Sequence, residues 1–215
     1  MIKILFCLSL FLLLLACKSN NTLIDTRDKE KYHFVEIKGI RWMTENMRYN
    51  VEGSKYNPNN PNKYYGRLYN WHQAMEACPE GWHLAHHITW NMVESFFISD
   101  KDELYEKEKF RGTNAKILKS KEGWNPSGTD SLKLNLLPAG RATHTSFALL
   151  EEGAFFWTSG SHMWGGQFAK EFAYYRYLHK DSLGIDASHH DKESNFYSCR
   201  CVQFVKNDKK RKEKD

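Results

Sequence analysis

Cysteine is the most reactive residue type in this 215-residue chain, and Cys17 lies where its chemistry can be predicted from its neighbours. Lys3 gives the N-terminus a positive charge, an apolar stretch runs from Ile4 to Leu15, and the small residue Ala16 precedes Cys17. This order is typical of a bacterial lipoprotein signal peptide. We therefore predict that residues 1–16 are cleaved and that Cys17 carries the lipid.

The same apolar stretch predicts where the protein lies. It is shorter than the roughly 20 residues that a helix needs to span a bilayer, so a retained transmembrane helix is disfavoured. Several acyl chains on one cysteine bury enough hydrocarbon for stable anchoring. We expect an envelope protein held by its lipid at the outer membrane, facing either the periplasm or the cell surface. An ordinary cleaved signal peptide is the alternative.

Three cysteines remain in the mature chain, an odd number for an oxidising compartment. Cys78 falls in a predicted helix and Cys201 in the last predicted strand, so a bridge between them closes a loop of more than 100 residues. Such a bridge is worth roughly 4 to 5 kcal/mol in the entropic description. We predict the Cys78–Cys201 disulfide, with Cys199 as a small buried apolar residue. A Cys78–Cys199 bridge and three reduced thiols stay open.

Histidine is abundant, and ten imidazoles raise the question of a metal centre. A transition-metal site needs three or four converging ligands supported by further hydrogen bonds. His86 and His87 open a predicted helix, whereas His189 and His190 stand in a polar stretch that is typical of solvated surface. We predict neither a metal site nor a cofactor.

Patterns for catalysis are weak. Glu151 and Glu152 are adjacent, and adjacent carboxylates diverge instead of facing each other across a bond. The Ser159-Gly160-Ser161 segment lacks the Gly-x-Ser-x-Gly elbow of serine hydrolases and predicts a turn. We expect no enzymatic activity.

Charge also limits the choice of partner. The net charge of +5 is modest, and much of it comes from the basic run at Lys209–Lys214. We interpret residues 206–215 as a solvated disordered tail, with contact to anionic lipid or polymer as the alternative. The basic residues form no stripe interleaved with aromatic residues, so nucleic acid is not an expected partner.

Helical and strand periods alternate along the chain and predict one α+β domain. Two strands flank a turn at Lys38-Gly39, and two short helices follow, the first centred on Trp71–Cys78 and the second on Trp90–Phe97. The later strands are predicted at residues 134–137, 154–158, 172–178 and 196–205.

Seven blocks in order give this chain a resemblance to a known family. They are Arg41–Met47, Tyr65–Trp71 with Ala74–Leu84, Ile117–Trp124, Leu137–Arg141, Phe156–Ser159, Tyr174–Leu178 and Ser198–Val202. The sequence resembles the Fibrobacter succinogenes major paralogous domain, found in bacterial envelope lipoproteins, from about Tyr32 to Val205.

The resemblance implies a C-type-lectin-like α+β fold with two short helices, mostly antiparallel strands and long loops, and a more distant relation to formylglycine-generating enzymes. It places the domain at residues 32–205 and leaves residues 17–31 as a lipid-anchored flexible tether. The helix-to-terminal-strand disulfide of lectin-like domains matches Cys78 and Cys201. The calcium-sugar motifs of lectins and the copper-binding cysteine pair of the oxidases are missing.

Aromatic residues between the last strands are the candidate binding groups. Trp164 lies between Met163 and two glycines, and Phe168 follows it. Exposed aromatic faces stack on sugar rings or anchor protein partners. We therefore predict a lipid-anchored, non-catalytic binding or adhesion module for an envelope or extracellular polysaccharide or protein. A structural envelope component without a specific ligand and a degenerate enzyme are the alternatives.

Overall fold

The computed structural model describes residues 21–60, 63–161 and 166–205. In this part of the chain, one five-stranded sheet, one nine-stranded sheet and four short α-helices form an α+β fold that is mostly β. Most strand pairs are antiparallel, as predicted, and there are two more helices than predicted. None of the helices in the described segments has the length and hydropathy to cross a membrane.

The helices are α1 (Trp71–Ala77), α2 (His87–Glu94), α3 (Lys101–Tyr105) and α4 (Gly166–Glu171). The first strands are β1 (Thr22–Ile24), β2 (Lys31–Ile37), β3 (Ile40–Met43), β4 (Leu68–Tyr69), β5 (His83–Leu84), β6 (Phe110–Arg111) and β7 (Ala139–Ala142). The later strands are β8 (Phe147–Leu150), β9 (Gly153–Ser161), β10 (Phe172–His179), β11 (Ile185–Asp186), β12 (His189–Asp191), β13 (Tyr197–Ser198) and β14 (Cys201–Phe204).

The five-stranded sheet has the order β1-β2-β3-β14-β5, and every neighbouring pair is antiparallel. The predicted hairpin is confirmed as β2 and β3, joined at Lys38 and Gly39. Both turn residues have positive φ, 51° for Lys38 and 74° for Gly39, which is the geometry of the tight turn that suits twisted strands. The last strand, β14, inserts beside β3 and brings the two ends of the domain together.

The predicted tether at residues 17–31 is wrong from residue 21 onward. Thr22 to Ile24 form β1 and pair with the start of β2. Arg27, in the turn that follows, donates to the Asp25 carboxylate and to the Ala77 carbonyl, each at 2.7 Å. These contacts attach the turn to the end of α1. The polar composition of this segment predicts a tether, but Asp25 pairs with Arg27 and Glu30 pairs with Arg48 in the folded domain.

The nine-stranded sheet is built around β9, a long and mostly buried strand that includes the strand predicted at residues 154–158. β9 pairs antiparallel with β10, and parallel with β13 and β7. Ser159 to Ser161 continue this strand instead of forming the predicted turn. The strand predicted at 196–205 is divided into β13 and β14, because the chain passes from one sheet to the other at Cys199 and Arg200.

The strand predicted at residues 134–137 is also wrong, since this segment is a loop apart from one isolated parallel bridge between Leu136 and Lys119. Arg200, fully buried, donates to the carbonyls of Leu134 at 2.7 Å and Asn135 at 3.3 Å. Lys133 and Asn135 have positive φ values of 56° and 51°, which a strand cannot accommodate. The side chain of a distant arginine therefore takes the carbonyl positions that a neighbouring strand would use, and burial lowers the pKa of Arg200 to about 10.

The main core lies between the sheets, with α2 packed inside it. The Trp90 ring of α2 lies 5.2 Å from the Trp42 ring and 5.4 Å from the Phe156 ring, measured between centroids. All three side chains are buried. Burial of these large rings fixes the position of α2, and α2 in turn positions the candidate site at its N-terminal end.

Candidate functional site

A cavity of about 480 Å³ opens where the start of α2, the end of β9 and the segment between α3 and β6 meet. Ile88 and Tyr105 form part of its wall and are 57% and 52% exposed, so a ligand can reach them. The lining residues include His86, His87, Ile88, Asn91, Tyr105, Glu108, Arg111, Ser159, Ser161 and Tyr174. The cavity thus combines aromatic and apolar faces with a few polar groups.

A second cavity of about 480 Å³ adjoins the first, and the two share His86, Ile88 and Ser159. Its wall is mainly apolar and includes Met75, Met92, Val202 and Phe204. We call the two cavities together the α2 groove, because α2 residues line both.

His86 lines both cavities and immediately precedes α2. Its Nδ1 accepts a hydrogen bond from the backbone N–H of Ile88 at 3.2 Å, so the side chain acts as the N-cap of the helix. A ring nitrogen that accepts from an N–H carries no proton, and the proton of the neutral imidazole therefore sits on Nε2. Nδ1 of His86 thus accepts from its own helix, and Nε2 is the donor atom of the ring.

His87 is held in the same tautomer by a different partner. Nη1 of Arg176 lies 3.2 Å from His87 Nδ1, and a guanidinium only donates, so the imidazole proton is again on Nε2. Burial, together with Arg176 and Arg111, lowers the pKa of His87 to about 2. The ring also packs against Tyr174, with centroids 4.2 Å apart. His87 is thus a neutral donor and stacking partner at physiological pH, and not a proton carrier.

Beneath the imidazoles lies a buried charge network formed by Glu94, Asn91, Arg111 and Arg176. Glu94 bonds both guanidiniums, with Arg111 Nε at 2.8 Å and Arg176 Nε on the other carboxylate oxygen. Asn91 Oδ1 accepts from Nη2 of each arginine at 2.7 Å. Every nitrogen of both guanidiniums has an acceptor in the protein. The network therefore shapes the groove floor but keeps no free donor for a ligand.

Gly160 allows the end of β9 to pass close to the two imidazoles. A Cβ at this position would lie 3.2 Å from the His87 Cβ and 3.4 Å from His86 Nε2. Most real side chains do not approach their neighbours this closely, so a larger residue here would displace an imidazole. The glycine lets Ser159 and Ser161 line the same groove as the histidines.

Cys78, Cys199 and Cys201, the three cysteines among the described residues, meet in the core at the end of α1. Cys78 and Cys201 form a disulfide across 123 residues, so the predicted pairing is the one in the structure. Cys199 Sγ lies 3.7 Å from Cys78 Sγ and 3.8 Å from Cys201 Sγ. Burial raises the pKa of the Cys199 thiol well above its usual range. Among the described residues this is the one cluster with metal-ligating atoms in common reach, and its disulfide sulfurs are not thiolates.

The predicted binding residues are only partly placed. Cys17 and Trp164 lie outside the described residues. Phe168 lies in α4, where its ring stacks on Phe172 at 4.4 Å and meets His189 edge-on at 5.3 Å. It does not line the α2 groove. The sequence analysis named Trp164 and Phe168 as the binding residues, and it did not identify Tyr105 and Ile88, which form part of the groove wall.

The residue pairs considered for catalysis have separate structural roles. The Tyr65 hydroxyl donates to Glu151 at 3.0 Å, and the Lys180 ammonium donates to Glu152 at 2.8 Å. The histidines considered as metal ligands lie on two elements, His86 and His87 at the start of α2 and His189 and His190 in β12. The rings of His87 and His189 both meet the Tyr174 ring, with centroids 4.2 Å and 6.5 Å away.

Together, the fold and the groove define an α+β domain, mostly β, whose first helix and last strand are joined by a disulfide. Residues 35–203 match the Fibrobacter succinogenes major domain (Fib_succ_major), a match that covers well over half of the chain. The chain therefore belongs to this family, as the motifs predict. Searches of curated proteins and of solved structures find no significant match.

Proposed function

We propose that this protein is a lipid-anchored component of the bacterial envelope that binds a polysaccharide or protein partner without catalysis. The α2 groove is the observation that carries the proposal. It joins exposed apolar and aromatic faces to a few polar groups on a rigid, buried support, which is the usual composition of a binding site.

The chemistry of the groove suits ligands that offer apolar faces and hydrogen-bond acceptors. Tyr105 and Tyr174 provide rings for the C–H face of a sugar or for an apolar side chain. His87 supplies a donor whose tautomer is held by Arg176. The hydroxyl groups of a polysaccharide and the carbonyls of an extended protein segment both accept from such a donor.

The envelope location rests on the sequence, in which the apolar run from Ile4 leads to Ala16 and Cys17. We also propose a C-type-lectin-like fold, supported by the disulfide from α1 to the terminal strand β14. Trp164 and Phe168 stay proposed contacts. A structural component without a ligand and a degenerate enzyme related to formylglycine-generating enzymes stay the alternatives.

The test for binding is retention of the lipidated protein by separated polysaccharide and protein fractions of the envelope, with and without a chelator. The variant Ile88→Ser with Tyr105→Ala should lose about tenfold in affinity, which corresponds to about 1.4 kcal/mol. Tyr64→Ala is the matched control, since Tyr64 is 43% exposed and lies outside the groove. Chelator-sensitive binding, or equal binding by the groove variant and the control, would contradict the proposal.

The test for the anchor uses Cys17→Ser. This variant should leave the membrane fraction and lack the mass of the acyl chains, because serine offers no thiol for lipid attachment. A variant that stays in the membrane with its signal peptide attached would show that the apolar stretch itself, and not a lipid, holds the protein.

A further inference from the structure

Both ends of the described chain leave the five-stranded sheet beside the β2–β3 turn. At the N-terminal end, the carbonyl of Asn21 accepts from the Phe34 N–H at 2.9 Å, and β2 runs on from Phe34 to the turn. At the C-terminal end, the Val205 N–H donates to the Gly39 carbonyl at 3.1 Å. The segments before Asn21 and after Val205 therefore start from the same end of the sheet.

The surface at this end combines cations with an exposed aromatic ring. Asn21, Lys38, Phe96 and Lys133 line one shallow concavity of about 440 Å³, which we call the exit face, and Glu36 is the acidic residue in it. Phe96 is 49% exposed, and Lys38 Nζ lies 4.6 Å from the centroid of its ring. Lysines with apolar stems beside exposed aromatic rings are typical of surfaces that meet lipid headgroups.

The number of residues between the exit face and the predicted lipid on Cys17 limits the distance from the exit face to a membrane. Cys17 precedes Asn21 by four residues, and four extended residues reach about 14 Å. The basic run Lys209–Lys214 begins four residues after Val205, within a similar reach. With a lipid on Cys17, the exit face is held near the headgroups, where the field of anionic lipids acts over about 10 Å, and the positive charge of the basic run favours anionic lipid.

We infer that the exit face rests on an anionic lipid bilayer, with Lys38 and Lys133 next to the lipid phosphates. The inference depends on the proposed lipid anchor and adds the orientation of the domain and the class of lipid.

The test is lysine acetylation, read by mass spectrometry, of the full lipidated protein in vesicles of phosphatidylcholine alone or with about a third phosphatidylglycerol. Acetylation of Lys38 and Lys133 should slow at least threefold on the anionic vesicles and recover in high salt. Lys29 is the internal control, because it lies in the turn before β2, at the opposite end of that strand from Lys38. Its rate should not change.

A variant with Lys209, Lys210, Arg211 and Lys212 changed to Gln should lose most of this protection while remaining on the vesicles. Equal rates on the two vesicle types, or equal slowing of Lys29, would overturn the inference. Protection by inorganic phosphate on neutral vesicles would instead indicate an anion site, and protection only with an added envelope protein would indicate a protein interface; both overturn it. If the protein carries no acyl chains and does not float with the vesicles, the lipid anchor itself is wrong. This result can be distinguished from a wrong orientation of an anchored protein.

Discussion

At the scale of single residues, Glu94 lies between two arginines that are both removed from water. Its carboxylate bonds Arg111 on one oxygen and Arg176 on the other, and all three side chains are buried. A buried ion pair contributes little over an apolar replacement, but removal of one partner leaves an uncompensated charge. Here one carboxylate bonds two guanidiniums under the groove, so the stability of this region depends on it.

Glu94→Gln should lower the free energy of unfolding by about 3 kcal/mol or more, because it leaves two buried guanidiniums without the carboxylate that bonds both. Urea unfolding measures the change. Glu152→Gln is the control, since the Glu152 ion pair with Lys180 is exposed to solvent and should have little effect. A loss for Glu94→Gln no larger than for the control would mean that Asn91 and the backbone carbonyls are sufficient partners.

His87 should make the protein sensitive to acid. Its pKa is lowered to about 2 in the fold, against an ordinary value of 6.5, so below pH 6.5 the unfolded chain binds a proton that the folded chain does not. Stability is therefore lost as pH falls from 6.5, by about 2 kcal/mol at pH 5. His190, whose pKa burial lowers to about 4, adds to the loss in the same range.

Urea unfolding at pH 7 and pH 5 measures this effect in the wild type and in His87→Gln. The amide oxygen of glutamine accepts from Arg176 without titrating, so the variant should lose clearly less stability on acidification. His83→Gln, at an exposed position on β5, should keep the wild-type dependence on pH. An unchanged pH dependence in His87→Gln would show that His87 is protonated in the folded protein.

At the scale of elements, local signals predict the hairpin and the first two helices. The turn residues Lys38 and Gly39 and the alternating strands around them are sufficient to form β2 and β3. α1 begins at a capping box in which Asn70 accepts from the Gln73 N–H and the Gln73 side chain accepts from the Asn70 N–H, each at 2.9 Å. Such features depend on residues a few positions apart, so a sequence contains them directly.

Asn70→Ala should lower the free energy of unfolding by about 1 kcal/mol. The alanine removes the side-chain oxygen that accepts from the Gln73 N–H, and so breaks the capping box. Thermal or urea unfolding measures it. Glu76→Ala, an exposed position on the same helix, should be close to neutral. Equal effects of the two changes would mean that packing of α1, and not its cap, holds the helix start.

Elements were mispredicted where a distant partner decides the structure. The loop at 134–137 has strand-like composition but is organised by Arg200, and residues 21–31 have tether-like composition but pair with β2 and α1. No local pattern reports such contacts. One signal was present for the buried network: Arg176 interrupts an apolar strand between Tyr175 and Tyr177, and a charge in that position needs a buried partner.

At the scale of the whole molecule, the disulfide joins the first helix to the last strand. Cys78 and Cys201 are 123 residues apart, so the bridge constrains most of the domain in its unfolded state. Cys199 lies nearly equidistant from both sulfurs. It therefore faces the side of the S–S bond, whereas disulfide exchange needs attack along the bond axis by a thiolate. Burial, which keeps this thiol protonated, further protects the native pairing.

Replacing both Cys78 and Cys201 by Ala should lower the free energy of unfolding by about 2 to 5 kcal/mol. Cys199→Val, a change that keeps an apolar side chain of similar size, should cost less than about 1.5 kcal/mol. Urea unfolding compares the two. In the wild type, alkylation followed by peptide mapping should label Cys199 only after unfolding, and label at Cys201 in the folded, oxidised protein would contradict the pairing.

The sequence by itself determined the family, the α+β class, the hairpin, the first two helices and the favoured cysteine pair, because each depends on local spacing or on ordered motifs. The tertiary structure alone decided the groove and the charge network under it. Glu94 meets Arg111 and Arg176 over 17 and 82 residues of sequence, and Ser159 lines the same groove as His86 because β9 ends beside α2. Such long-range contacts depend on how the sheets pack around Trp90. Packing of this kind produces no periodic pattern in the sequence from which the contacts could be predicted.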